Sequence, residues 1–261
     1  MHRIRQNGIL QYRFEGLAGV DGLFHTVLTR IGGVSKEPFA TLNLGHTVGD
    51  DPEAVRENHR RALLPLGVDS ERVVCPWQVH GARVDVVGPE HLGTVRPKTD
   101  ALVTEKPGVP LMMRFGDCTP ILLFDRVRRV AGLAHAGWRG VVAGVVEASI
   151  RTMEERLGCT PSSIWAGIGP TIGPCCYEVG ADVAHMIAAA CPGEARVIRR
   201  VNGHVHADLP AAVEAQLRAL GVREVEQANL CTSCRVDEFF SHRAEEGRTG
   251  RFGIVMGLDH G

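Results

Sequence analysis

Three short segments of the chain each place a potential metal ligand or nucleophile beside residues that favour tight turns. His80 lies in PWQVHG, Cys118 in RFGDCTPILLFD, and His135 in GLAHAGWRG. Two imidazoles and one thiolate form a suitable zinc set, and three protein ligands leave a fourth position open for water or substrate. The same residues also suit a cysteine nucleophile with a histidine base, or a buried thiol beside two hydrogen-bonded histidines. The residue types alone leave these three interpretations open.

Charged residues next to these segments are candidates for substrate binding. Asp117 precedes Cys118 and could orient a histidine. Arg139 follows His135 at the predicted start of a helix, where free backbone N–H groups and a guanidinium suit an anion such as phosphate. The segment is neither a P-loop nor a dinucleotide fingerprint, because both glycine patterns are absent. A plain tight turn is therefore the alternative interpretation.

Two further groups are weaker candidates. Cys231 and Cys234 have the CxxC spacing, and Cys175 and Cys176 could supply the other two ligands of a structural metal. A redox pair would need a thiol of low pKa near a helix start, and the sequence offers no such context. The two histidines of HVH (204–206) would share one face of a strand. A metal pair there competes with a solvated turn that carries one structural histidine.

The elements that must position these residues are mainly short strands with β-branched residues, bounded by Gly and Pro. Because the strands mostly follow one another without helical crossovers, their order predicts an α+β fold of mixed β-sheets packed with helices. Capping residues and helical periodicity predict four helices, over 51–67, 139–158, 180–191 and 208–221. The predicted strands are 9–14, 23–30, 72–75, 83–87, 101–104, 109–115, 120–125, 129–135, 163–169, 196–200 and 252–258.

Composition excludes several classes of protein. The 261 residues, 44% of them hydrophobic, predict a single domain over 1–261. The formal net charge is −1 and basic residues are dispersed, so no nucleic-acid partner is expected. Neither a secretory pattern nor an apolar run of about 18 residues occurs, which predicts a cytoplasmic protein without membrane contact. In that compartment the 8 cysteines would mostly be free thiols.

Eight ordered segments resemble the YfiH-type family, also called the laccase-domain or polyphenol oxidase family. The resemblance covers most of the chain, and it implies a YfiH-like fold of mixed sheets that agrees with the predicted strand order. The segments are TRIGGVS (29–35), LNLGHTVGDDPEAVREN (42–58), WQVHG (77–81), TDALVTEKPGVPL (99–111), GDCTPILL (116–123), AHAGWRG (134–140), GIGPTIGPCCYEVG (167–180) and FFSHR (239–243).

The resemblance implies a zinc site whose ligands correspond to His80, Cys118 and His135, which would also be the catalytic residues. It implies phosphorolysis of purine nucleosides, namely adenosine, inosine, guanosine and methylthioadenosine, with deamination of adenosine in some members. The expected partners are therefore a purine nucleoside and phosphate, with the phosphate near Arg139 or Arg30 and Asp117 as an acid–base candidate by adjacency. We expect a monomer, with a homodimer as the alternative.

Other functions stay open at this point. The name polyphenol oxidase implies a multicopper laccase site, but the chain has at most one His-x-His pair, and one cysteine with two histidines suits zinc better. A cysteine or zinc hydrolase that edits a peptidoglycan precursor is a second alternative, and a structural zinc protein is a third. The chain also has Phe115-Gly116 where the family usually has Thr-Ala, and His25-Thr26-Val27 where it usually has His-Gly-Phe. Both departures predict an altered substrate preference with unchanged ligands.

Overall fold

The structure is a computed structural model, and it describes residues 1–259 of the chain. Within this range the chain forms fifteen β-strands and five α-helices. The helices are α1 (Pro52–Leu63), α2 (Trp138–Val142), α3 (Val145–Leu157), α4 (Ala181–Ala189) and α5 (Leu209–Ala219). The strands are β1 (His2–Gln6), β2 (Ile9–Arg13), β3 (Leu23–Leu28), β4 (Cys75–Pro76), β5 (Val84–Val86), β6 (Val95–Arg96), β7 (Ala101–Thr104), β8 (Leu111–Phe115), β9 (Thr119–Asp125), β10 (Val130–Ala136), β11 (Ile164–Ile168), β12 (Ile198–Val201), β13 (His204–Ala207), β14 (Glu224–Gln227) and β15 (Phe252–Leu258).

Two large sheets organise these strands. The five-stranded sheet has the order β1-β2-β3-β15-β8 and is antiparallel throughout. The six-stranded sheet has the order β14-β11-β9-β10-β7-β5, and it is mixed because β11 pairs with β14 and β5 pairs with β7 in parallel. The prediction of an α+β fold with mixed sheets is confirmed.

Successive core residues of a strand face opposite sides of its sheet, and the hydrophobic clusters that they form define four layers. In β9, Leu122 and Phe124 face the five-stranded sheet, where they join a cluster with Phe115 and Phe252. Their neighbours Ile121 and Leu123 face the opposite way and pack with α3 and α5 residues. A third cluster covers the outer face of the five-stranded sheet with α1. The order is therefore helix, sheet, sheet, helices, and β9 is buried on both faces, which explains its continuous apolar run.

Several predicted elements need correction. The single helix predicted over 139–158 is wrong, because Gly144 adopts a φ of 83° and separates α2 from α3. The segment HVH (204–206) belongs to β13, so the interpretation as a turn is wrong. The sequence also missed β1, β6 and β14. No helix among residues 1–259 is long and apolar enough to cross a bilayer.

Candidate metal and substrate site

The three candidate ligands meet at one edge of the six-stranded sheet. Because β9 and β10 are antiparallel, the start of β9 lies beside the end of β10, and His135 is the register partner of Pro120. Cys118 immediately precedes β9. His80 lies in the loop that enters β5, whose parallel partner β7 begins at this same edge. Sheet topology thus brings together side chains that are far apart in sequence.

Cys118 is the last residue of a short connection between the two sheets. β8 belongs to the five-stranded sheet and β9 to the six-stranded sheet, so residues 116–118 cross from one layer to the other. Asp117 crosses with a φ of 87°, a conformation that a side-chain-bearing residue adopts only when its surroundings hold it there. Its carboxylate accepts hydrogen bonds from Thr232 Oγ1 (2.6 Å) and the backbone N–H of Arg243 (2.7 Å). These bonds fix the turn that presents Cys118.

Asp100 links the two histidines and was missed by the sequence analysis. Its Oδ1 lies 2.9 Å from Nδ1 of His135 and accepts the backbone N–H of His80 at 2.9 Å. Its Oδ2 accepts the N–H of Gly81 at 2.8 Å, and Val79 also donates to the carboxylate. Asp100 is fully buried. The carboxylate therefore holds Nδ1 of His135 in its N–H form, which leaves Nε2 for the site, and it shapes the loop that carries His80.

The electrostatics favour a thiolate at Cys118. Burial opposes ionisation of the thiol, but His135 and His80 overcome it and lower the pKa of Cys118 to about 6. Burial likewise opposes the charge on His135, yet the Cys118 thiolate and the Asp100 carboxylate raise the pKa of His135 to about 9. In the absence of another cation, the pair forms a thiolate and an imidazolium. A metal ion bound there would replace the imidazolium proton as the partner of the thiolate.

The three side chains leave space suited to one ion. Their ligand atoms all lie within 4.8 Å of one another, and Cys118 Sγ is 3.9 Å from His80 Nδ1. A Cβ added to Gly137 would fall 2.8 Å from His80 Nδ1 and 3.0 Å from Cys118 Sγ. Gly137 therefore keeps open the volume between the two ligand atoms. The donor set and this space fit a tetrahedral metal with one open position.

A cavity of about 840 Å³ opens above this group. Four arginines line it, namely Arg114, Arg139, Arg243 and Arg251. Among residues 1–259, none of these guanidinium groups lies within 4.0 Å of a carboxylate. Aromatic side chains supply much of the remaining wall: Trp77, Phe115, Trp138 and Tyr177. The cavity thus combines positive charge with flat apolar surfaces.

The predicted anion-binding residues differ in their placement. Arg139 lines the cavity and lies over the Trp138 ring, 4.4 Å from its centroid. Arg30 does not line it: its guanidinium donates to the carbonyls of Ala40 and Val236 and pairs with Glu245 at 2.9 Å. The geometry does not support the prediction that Arg30 binds phosphate.

Asp117 was predicted to act as an acid or base, or to contact substrate. It borders the cavity, but each of its carboxylate oxygens already accepts a hydrogen bond from the protein. These bonds favour a positioning role. The sequence analysis did not select Arg243 or Arg251 as substrate-binding residues, although both line the cavity. Their proximity to the candidate ligands becomes visible only in the folded chain, where segments that are distant in sequence come together.

The unusual pair Phe115-Gly116 has a structural reason. Phe115 is buried against His135, with their ring centroids 5.6 Å apart. A Cβ on Gly116 would lie 3.2 Å from Cδ and 3.3 Å from Nη1 of Arg251. Gly116 therefore makes room for the Arg251 side chain beside the His80–Cys118–His135 group. The other departure from the family pattern, at His25-Thr26-Val27, has no direct contact with the site. The His25 ring accepts the N–H of Phe14 at 2.9 Å and does not line the cavity.

Fold and site together define a class of protein. An antiparallel sheet packs on a mixed sheet, and a His–Cys–His group lies at the edge of the mixed sheet, under an arginine-lined cavity. The chain belongs to the family described as multi-copper polyphenol oxidoreductase laccase, which matches residues 24–259. The resemblance to YfiH-type proteins is confirmed.

Several known proteins match this chain over nearly its whole length. The chain is 43% identical over 240 residues to purine nucleoside phosphorylase SCO2081 of Streptomyces coelicolor, covering 92% of this chain and 97% of that protein. It is 40% identical over 240 residues to purine nucleoside phosphorylase YlmD of Geobacillus stearothermophilus, covering 88% of each. The crystal structure of YlmD superposes with a TM-score of 0.92 at 37% identity, over 99% of this chain and 100% of that one. Relatives with these names suggest an enzyme.

Proposed function

We propose that this protein is a zinc-dependent purine nucleoside phosphorylase. The observation that carries the proposal is that one cavity contains both the His80–Cys118–His135 group and four arginines without carboxylate partners among residues 1–259. The names of the relatives at about 40% identity support the same activity. The substrates would be a purine nucleoside and inorganic phosphate, and the products would be the free base and ribose 1-phosphate.

His80, Cys118 and His135 would hold the zinc ion, through His80 Nδ1, the Cys118 thiolate and His135 Nε2. When bound, zinc would supply a Lewis acid that stabilises negative charge on an oxygen of the substrate. Asp100 would keep Nδ1 of His135 protonated, so that Nε2 stays available as a ligand. Asp117 would hold Cys118 in place through its bonds to Thr232 and Arg243.

The phosphate would bind to Arg139, Arg243 and Arg251. A guanidinium offers several donors that match phosphate oxygens, and these three come from α2 and from two separate loops around the same cavity. Arg251 is anchored by its own bonds to the carbonyls of Thr249 and Gly250, and burial lowers its pKa. An anion in the cavity would offset the cost of that buried charge.

The nucleoside would bind against the aromatic walls. Trp77 lines the cavity and is 63% exposed, and a purine ring would cover it by stacking. In the reaction a phosphate oxygen attacks C1′, and the C1′–N9 bond breaks. The electron pair of that bond leaves with the purine, which then takes up a proton. Positive charge develops on the sugar ring during this step, as in glycoside cleavage, and the bound phosphate dianion would stabilise it.

Deamination of adenosine is the second activity that the sequence predicts, and the open metal position would suit it because zinc activates water. A hydrolase acting on a peptidoglycan precursor would use the same open position. We further propose one functional unit over residues 1–261, of which 260–261 lie outside the described residues, acting in the cytoplasm as a monomer or a homodimer.

A substrate panel tests the proposal. Purified protein is incubated with adenosine, inosine, guanosine and methylthioadenosine, with and without phosphate, and the products are separated by chromatography. Free base and ribose 1-phosphate that form only with phosphate support phosphorolysis. Inosine formed from adenosine without phosphate identifies deamination. No turnover of any nucleoside by protein that carries a full equivalent of zinc would refute the nucleoside proposal.

A further inference from the structure

A second group of thiols lies outside the site already described. Cys175 and Cys176 sit in a turn after Thr171, and Cys231 and Cys234 sit in a turn after β14. A bridge between Thr171 and Cys231 aligns the two segments side by side. Cys234 Sγ is 3.6 Å from Cys175 Sγ and 3.4 Å from Cys176 Sγ, and all four sulfur atoms lie within 4.8 Å of one another.

These separations match one tetrahedral ion. With four Zn–S bonds of about 2.3 Å, tetrahedral geometry requires sulfur atoms about 3.8 Å apart. A cluster with two or more metal centres would require at least one pair of thiols to be wider apart. We propose that Cys175, Cys176, Cys231 and Cys234 form a second, structural metal site that binds a single thiophilic ion, zinc by preference. This site is independent of the proposed nucleoside chemistry.

The surroundings of the four thiols suit a thiolate cluster. The backbone N–H of Gly173 donates to Cys231 Sγ at 3.2 Å. A backbone N–H directed at the sulfur favours a thiolate at this position. Four thiolates at these separations would repel one another, and a bound cation removes that repulsion because each thiolate then faces the metal.

The remaining cysteines show that such grouping is not general in this chain. Cys75, Cys159 and Cys191 are buried in the hydrophobic core, and Cys191 Sγ donates to the carbonyl of Ala212. They behave as ordinary apolar core residues. The four grouped thiols, by contrast, lie in two turns near the surface, where Cys175 and Cys234 are exposed. Exposure gives a metal ion a route of entry.

The position of the cluster defines its role. The two segments that it joins are also the ones that hold Asp117. Thr171 Oγ1 and the N–H of Ile172 donate to the Asp117 carbonyl, at 2.7 Å and 3.0 Å. Thr232 Oγ1 donates to the Asp117 carboxylate at 2.6 Å. A metal that fastens these segments would therefore stabilise the turn that presents Cys118, without itself contacting the nucleoside cavity.

Metal content tests the proposal directly. Wild-type protein purified under reducing conditions with zinc should carry two ions per chain by elemental analysis. The Cys231→Ala/Cys234→Ala variant should lose the ion of the four-cysteine site and keep the ion of the His80–Cys118–His135 site. Cys118→Ala should show the reverse. Cys191→Ala, which removes a thiol outside both groups, is the matched control and should keep two.

A second measurement does not depend on folding of the double variant. In Cys118→Ala, which leaves the four grouped thiols as the remaining thiolate site, Co²⁺ should produce the strong sulfur-to-metal charge-transfer absorption of a tetrathiolate complex. A single ion per wild-type chain that Cys231→Ala/Cys234→Ala retains, or no such absorption, would overturn the proposal. A mass lower by two hydrogens after purification, with a Cys176–Cys234 cross-link in the peptide map and no second ion under reducing conditions, would identify a disulfide in its place.

Discussion

The Nδ1 atom of His135 lies 2.9 Å from Oδ1 of Asp100, and both side chains are buried. The same carboxylate accepts three consecutive backbone N–H groups of the loop that carries His80. One buried carboxylate thus orients two of the three proposed ligands, and the lowered pKa of Asp100 keeps it ionised: burial opposes the charge, but His135 and these N–H groups outweigh it.

Asp100→Asn should weaken zinc binding by roughly 10- to 100-fold, the usual effect of losing such an orienting partner. The amide keeps the shape of the carboxylate but removes its charge, and its NH₂ group would face backbone donors. Chelator competition measures the dissociation constant. Asp85→Asn is the control, because Asp85 is similarly buried but pairs with Arg83 and Arg96. Equal affinity in Asp100→Asn and wild type would exclude the orienting role.

Gly137→Ala should abolish most metal binding although every ligand is retained. The new methyl carbon would lie 2.8 Å from His80 Nδ1 and 3.0 Å from Cys118 Sγ, within the volume that the ion needs. Gly81→Ala is a control in the same site, since its Cβ would meet nothing closer than 3.5 Å. Zinc analysis after dialysis compares the two variants. A full zinc complement at the Cys118 site in Gly137→Ala would contradict the assigned position of the ion.

Arg139→Gln should raise the KM for phosphate by roughly 10-fold or more, because a hydrogen bond to a charged group is worth about 1.5–3 kcal/mol. The KM for the nucleoside should change much less. Arg30→Gln provides the comparison: it should lower the melting temperature, because it removes the contacts with Ala40, Val236 and Glu245. Its KM for phosphate should stay near the wild-type value, and the opposite pattern would restore Arg30 as the phosphate ligand.

The fold should lose stability in mild acid through His25. Burial, with a smaller contribution from Arg13, lowers the pKa of His25 from 6.5 to about 4, and Nε2 must stay unprotonated to accept the Phe14 N–H. Between these two pKa values the unfolded chain binds a proton that the folded chain does not, so stability falls as pH falls. The loss at pH 5 relative to pH 7 should be about 2 kcal/mol.

Denaturant unfolding at the two pH values measures this effect. His25→Gln should show a smaller decrease in stability than wild type, because glutamine can accept the Phe14 N–H without titrating. His185→Gln, at an exposed position of α4, should leave the decrease unchanged. Identical pH dependence in His25→Gln and wild type would show that other groups cause the acid sensitivity.

The resemblance to a known family indicated His80, Cys118 and His135 as candidate ligands, which the structure brings within 4.8 Å of one another, and the order of the strands predicted mixed sheets. It could not reveal Asp100, whose role depends on the pairing that sets the start of β7 beside the end of β10. A single aspartate before a strand carries no such signal. The break at Gly144 was missed for a similar reason, since apolar periodicity continues through it.

The arginines illustrate the same limit. The sequence analysis placed the phosphate near Arg139 or Arg30, yet Arg251 is the residue that enters the site through the space that Gly116 leaves beside it. That relationship depends on the pairing of Phe115 with Phe252 in the five-stranded sheet and on the absence of one methyl group. Likewise, the CxxC spacing of Cys231 and Cys234, with Cys175 and Cys176 as possible partners, indicated a metal site only weakly. The three-dimensional arrangement brings all four sulfur atoms within 4.8 Å of one another.

Phosphorolysis of inosine before and after removal of the metal tests the central proposal most directly. Zinc content and the phosphate-dependent release of hypoxanthine are measured on the same preparation, first as purified, then after chelation, and again after zinc is restored. We expect activity to disappear with the ion bound by His80, Cys118 and His135 and to return with it, and we expect Gly137→Ala to stay inactive at every step. Undiminished release of hypoxanthine by protein from which this ion has been removed would contradict the proposed function.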